Sequence, residues 1–154
     1  MEQTVGVSLI ADFNQQLADI SANMQDQLAQ KQEVRGEISV LQGINAKTTI
    51  NNESTNGQDA VMITQVERDK LLQLGVDKNS IISSGGYLYV TKEALTATVE
   101  SRQEKLAGLN SNSELTMIQI QSLVDQRKNM LMLLSNMMAS KNETASSIIR
   151  NLKN

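Results

Sequence analysis

The chain has 154 residues, 40% hydrophobic and 20% charged, with a net charge of -3, a composition that fits one folded domain and supplies no cationic surplus for nucleic-acid phosphates. It contains no His and no Cys, which removes the usual proton relays, thiol nucleophiles, tetrahedral zinc sites and disulfides. With Phe13, Tyr87 and Tyr89 as its only aromatics, the core must be aliphatic, as in helix-on-helix packing.

A helix is expected over residues 9–42. Apolar residues there alternate in steps of three and four through Ile10, Phe13, Leu17, Ile20, Met24, Val34, Ile38 and Leu41, interrupted only by Gln27 and Lys31. At about 1.5 Å per residue this helix would reach about 50 Å, with Gly43 as its stop. Residues 44–59, rich in Asn, Thr, Ser and Gly, read as a mobile polar loop with a turn at Asn56-Gly57. Ile63, Val66, Leu71 and Leu74 predict a short helix ended by Gly75 in a left-handed conformation. The run Ile81 to Val90 changes to β-favouring residues around Ser84-Gly85-Gly86 and predicts a small hairpin, which must lean on the helices because two strands alone are marginal. Tyr87 and Tyr89 fall on one strand face, where they form either a partner contact or a cover for the adjacent helix.

Thr91 is placed to cap a following helix, with Glu93 in its first turn and a stripe of Leu95, Val99, Leu106 and Leu109. Ser111-Asn112-Ser113-Glu114 has the spacing of a capping box and would start a fresh helix; alternatively one helix runs from 92 to 152. From Met117 the alternation runs Ile120, Val124, Arg127, Leu131, Leu134, Met138, Lys141, Ala145, Ile148 and Leu152. That series is one residue out of step with the stripe before residue 110, so a kink, phase drift or break is expected near 110–113. The expected fold is mainly α and a single domain. Its N- and C-terminal helices form a long antiparallel hairpin or coiled coil, with a small α+β insertion over 44–91 that contains the β-hairpin.

Nothing in the chain assembles a catalytic, cofactor or metal site. Gly85-Gly86 lacks the sequence context of a phosphate loop, and Glu67 and Asp69, two apart on a helix, point to different sides, so no enzyme is expected. The segment Met130 to Met138 is apolar nearly all round, more than one partner helix can cover. It points to a self-assembly interface through Met117, Ile120, Val124, Arg127, Met130, Leu131, Leu134, Met137, Met138 and Ile148. The other option is that the central region folds over the second face within the monomer. Charge is uneven as well: residues 1–74 hold ten acids and five bases, residues 75–154 seven acids and nine bases, so the halves either pair, within a chain or between copies, or are solvated helix faces with no steering role.

The N-terminal segment has no basic region followed by an apolar run, so no cleavable secretory signal is expected, and no stretch approaches the roughly 20 apolar residues of a membrane span. The run Asn112-Ser113-Glu114-Leu115-Thr116-Met117-Ile118-Gln119-Ile120-Gln121-Ser122-Leu123, the apolar Met130 to Met138 block and the tail Ile148-Ile149-Arg150-Asn151-Leu152-Lys153-Asn154 resemble the C-terminal helix of the hydrophilic translocators of bacterial type III secretion systems, the needle-tip and needle-extending filament proteins. The order of parts is similar too, an N-terminal coiled-coil helix, a smaller middle, a Thr-Lys-Glu-Ala-Leu helix start and the long C-terminal helix, and the resemblance covers residues 61–154. The resemblance implies a secreted structural protein at the bacterial surface, exported without a cleaved signal. It further implies helical self-assembly above the secretion needle, contact with pore-forming translocators, and a cytoplasmic chaperone that shields the C-terminal helix before export. It brings no cofactor and no catalytic residue. The short middle favours a slim filament subunit over an elaborate tip domain. A competing expectation is a cytosolic helical chaperone or adaptor that holds a partner helix in the same groove.

Overall fold

A computed structural model describes the backbone of residues 2–153 and the side chains of residues 7–141. The elements in chain order are α1 (Glu2–Asn45), β1 (Ala60–Ile63), α2 (Gln65–Gln73), β2 (Ile81–Ser84), β3 (Tyr87–Thr91) and α3 (Lys92–Lys153). The protein is mainly helical: the long terminal helices pack together, and the short elements between them include a three-stranded antiparallel sheet. Two compact units are formed, Gln27–Asn112 and the combination of Met1–Asp26 with Ser113–Asn154. Each long helix contributes a segment to both units.

In the unit Gln27–Asn112, the second half of α1 and the start of α3 share a core with the sheet and α2. Val34, Ile38, Leu41 and Ile44 from α1, Val61 and Ile63 from β1, Leu71 and Leu74 from α2, Val90 from β3, and Leu95 and Val99 from α3 are all buried together. The sheet order is β1-β3-β2, with Val61 opposite Val90 and Ile81 opposite Val90. Because strand side chains alternate, Val61, Ile63, Leu88, Val90 and Ile81 fall on one face, which is the face that joins this core. Tyr89 lies in the opposite row with Met62 and Ile82 and is buried, whereas Tyr87 is exposed although it shares that face.

The expected hairpin is present. Its two-residue turn places Gly85 and Gly86 at φ of 59° and 82°, a positive-φ pair whose twist matches the flanking strands. Thr91 caps α3 as its residue type predicts, its Oγ1 accepting from the Ala94 N–H at 3.3 Å. Gly75 has φ of 90° at the end of α2, the left-handed stop that its position implied.

Four expectations are corrected. Helix α1 does not stop at Gly43 but continues to Asn45, because Ile44 is buried and tertiary packing outweighs the glycine's weak helix propensity. The segment 44–59 has the expected turn, with Asn56 and Gly57 at φ of 54° and 72°, but it is tied down: Ile50 and Ala60 exchange backbone hydrogen bonds of 2.7 and 2.9 Å, and a single turn at Glu53–Thr55 is capped by Asn52 around a fully buried Thr55. Ile63 is not helical but ends β1; the short helix starts after Thr64, which forms a capping box with Glu67, and Val66 is exposed. Finally, α3 has no break at 110–113: the continuous-helix alternative holds, and Ser111-Asn112-Ser113-Glu114 is interior helix, not a capping box. Ser113 and Thr116, both polar, are buried there, so the stripe Leu95, Val99, Arg102, Leu106, Leu109, Ser113, Thr116, Ile120 keeps its three-four alternation unbroken. The apparent phase slip came from reading apolar Met117 in place of buried Thr116.

Candidate self-assembly surface

In the unit formed by Met1–Asp26 and Ser113–Asn154, two helices meet with no sheet beside them. On α1 the least exposed residues are Ile10, Phe13, Leu17, Ile20 and Met24, the stripe read from the sequence. On α3 they are Ser113, Thr116, Ile120, Leu123, Arg127, Met130, Leu134 and Met137. Both sets alternate by three and four, the spacing of a coiled-coil seam. Apart from Ser113 and Thr116, every member is half-buried, in contrast to Val34 and Leu41, which the other unit seals at 1% and 0% exposure. Two helices alone cannot enclose their own seam.

A second apolar series lies on α3 outside that seam. Met117, Val124, Leu131 and Met138 recur every seven residues, each one position after a seam residue and therefore about 100° further round the helix. Their exposures are 47%, 46%, 42% and 50%. Ile118 and Met132 border this series and are more than half exposed; Leu115 and Leu133 are as exposed but lie about 200° round the helix from Met117 and Leu131, on another side. Val124, Leu131 and Met132 line a shallow groove of about 420 Å³ with Arg127, Lys128 and Ser135. Arg127 reaches it from the seam, with its Nε buried and unbonded, and neither Arg127 nor Lys128 is in an ion pair among the described residues.

The residues singled out from the sequence thus divide in two. Ile120, Arg127, Met130, Leu134 and Met137 lie on the intramolecular seam side, whereas Met117, Val124, Leu131 and Met138 face outward. The side chain of Ile148 lies outside the described residues. Leu123 on the seam and Ile118 beside the outer series were missed, whereas Met132 belongs to the Met130 to Met138 block already singled out.

The larger concavity, about 680 Å³, belongs to the other unit and is lined by Gln58, Asp77, Thr98, Ser101 and Arg102 among others. Arg102 is already engaged there: its Nη2 donates to the Leu74 carbonyl at 2.7 Å and its Nε lies 2.7 Å from Glu37 Oε2. Glu67 is likewise committed to structure. Burial alone would raise its carboxyl pKa, but the Lys47 ammonium and the Thr64 N–H and hydroxyl outweigh it and hold the pKa below the ordinary value. Among the described residues no group of acids is arranged to hold a metal ion, and no helix is long and apolar enough to cross a membrane. No known family model, curated protein or solved structure matches this chain.

Proposed function

We propose that this protein is a structural subunit that self-assembles through the outer face of α3, serving as a hydrophilic translocator at the tip or filament of a type III secretion needle and helping deliver effectors to a host cell. The observation that supports assembly is the seven-residue series Met117, Val124, Leu131 and Met138, exposed beside a seam that its own two helices leave half open. An exposed apolar patch of this kind lowers its free energy by acquiring a partner, at roughly 25 cal/mol per Å² of apolar surface covered. Methionine-rich surfaces repack easily, as required of a face that is first shielded by a chaperone and later buried between subunits. The secretion role rests on the resemblance of residues 112–123, the Met130 to Met138 block and the polar tail. In this reading the partners are further copies of the chain, the needle and the pore-forming translocators, and there is no catalytic step.

The test uses Val124→Asp and Leu131→Asp. Both remove assembly, read by light scattering and electron microscopy, while helicity and thermal unfolding of the dispersed protein stay near wild type. Equal loss of folding and assembly would contradict the assignment of this face. For the secretion role, the tagged chain is recovered outside bacteria whose type III channel is intact and retained when that channel is blocked.

A further inference from the structure

The outer face of α3 has a match in charge on the outer face of α1. Asp12, Asp19 and Asp26 recur every seven residues on α1, are exposed, and lie away from the Ile10 to Met24 seam. Ala11, Ala18 and Ala22 flank them and leave that side of the helix low enough for close approach. Before Lys31 α1 carries no base at all, while between Met117 and Met138 α3 holds two bases, Arg127 and Lys128, against one acid, Asp125. Among the described residues Asp12 and Asp26 are in no ion pair, and Asp19 accepts only from Gln15, at 3.0 Å. The acids therefore repeat at the same interval, about 10.5 Å, as Met117, Val124, Leu131 and Met138.

A self-pairing of α3 fits less well. The apolar series is centred between residues 127 and 128, so a two-fold antiparallel α3 pair brings Arg127 and Lys128 of both copies together. A parallel pair in register does the same. Like charges so placed are repulsive.

We infer that the outer face of α3 in one copy seats on the acidic outer face of α1 in the next copy, with Lys128 and Arg127 against the Asp12, Asp19 and Asp26 row. This rests on the self-assembly reading above and names the surface that receives it. The two surfaces differ, so the contact is heterologous and leaves a free α3 face at one end and a free α1 face at the other. Repeated, it grows an open fibre unless its rotation closes a ring.

The chain has no native cysteine, so disulfide trapping is clean. Val124→Cys protein mixed with Ala18→Cys or Ala22→Cys protein, then oxidised, is expected to give mixed cross-linked dimers, with few Val124→Cys homodimers. In parallel, Asp12→Lys combined with Asp19→Lys is expected to lower assembly at least tenfold in threshold concentration, as is Lys128→Glu. Mixing those two charge-reversed proteins should restore co-assembly. Wild-type polymers with unchanged assembly of the Asp12→Lys/Asp19→Lys protein, or with Val124→Cys homodimers dominant, would overturn the α3-on-α1 contact and leave the assembly reading standing. Wild-type protein that stays dispersed at every concentration would overturn both.

Discussion

Arg102 of α3 lies between two segments remote in sequence, its Nε 2.7 Å from Glu37 Oε2 of α1 and its Nη2 2.7 Å from the carbonyl of Leu74 at the end of α2. The Glu37 contact is an ion pair without the linear geometry of a hydrogen bond, and both side chains are mostly buried. The guanidinium also faces the carbonyl end of α2, where the helix dipole favours a cation. One side chain thus ties α1, α2 and α3 together within the unit Gln27–Asn112.

Arg102→Ala removes both links and leaves Glu37 in a mostly buried place without its partner. The expected cost is about 1–3 kcal/mol of that unit's stability, from the loss of a charged hydrogen bond and the uncompensated carboxylate. Glu37→Gln, which keeps the shape and leaves Arg102 its Leu74 bond, should cost less. Urea unfolding followed by circular dichroism reads both, and equal stability of Arg102→Ala and wild type would contradict the role assigned to this pair.

Glu67 gives the protein an acid-sensitive joint. Its folded pKa is lowered, so the Lys47 and Thr64 contacts contribute stability above the ordinary glutamate value of about 4.3, and that contribution is lost as pH falls through the lowered folded value. The side chain is partly exposed, which keeps the contribution modest. Glu67→Gln should flatten the corresponding part of the stability profile between neutral pH and pH 3. A variant that tracks wild type across that range would show that Glu67 does not contribute.

Thr116 and Met117 are adjacent, and the structure assigns them opposite roles: Thr116 is 5% exposed and Met117 47%. Thr116→Asp places a charge in the helix seam and should lower the unfolding temperature by several degrees, in line with a cost of about 2 kcal/mol or more. Met117→Asp should leave unfolding within about 0.5 kcal/mol of wild type. The reverse order would restore the register that hydrophobicity alone implies.

That pair also shows where the sequence is readable and where it is not. On α1 the series from Ile10 to Leu41 is legible because no second apolar series competes with it; the exposed Leu9, Leu28 and Val40 stand singly among polar, charged and small residues. On α3 the seam contains Ser113 and Thr116 while the adjacent outer position is filled by Met117, Val124, Leu131 and Met138, so a search for apolar residues crosses from one series to the other. Ile120, Arg127 and Leu134 belong to either path, which is why the two could not be separated without burial. Strand β1 was hidden for a related reason: Ile63 continues smoothly into the helical spacing of Leu71 and Leu74, and only the Thr64-Glu67 capping box marks the change. The Arg102 link left no local signal, since its partners are Glu37 and Leu74.

Assembly of identical copies is the role proposed for this chain. Negative-stain electron microscopy of purified wild-type protein over a concentration series, paired with light scattering, tests it most directly. Uniform fibres or stacked tip particles that grow with concentration and disappear in Leu131→Asp protein are the predicted result. A wild-type monomer or discrete dimer at every concentration would contradict the claim and point to a chaperone or adaptor whose methionine-rich face binds a different helix.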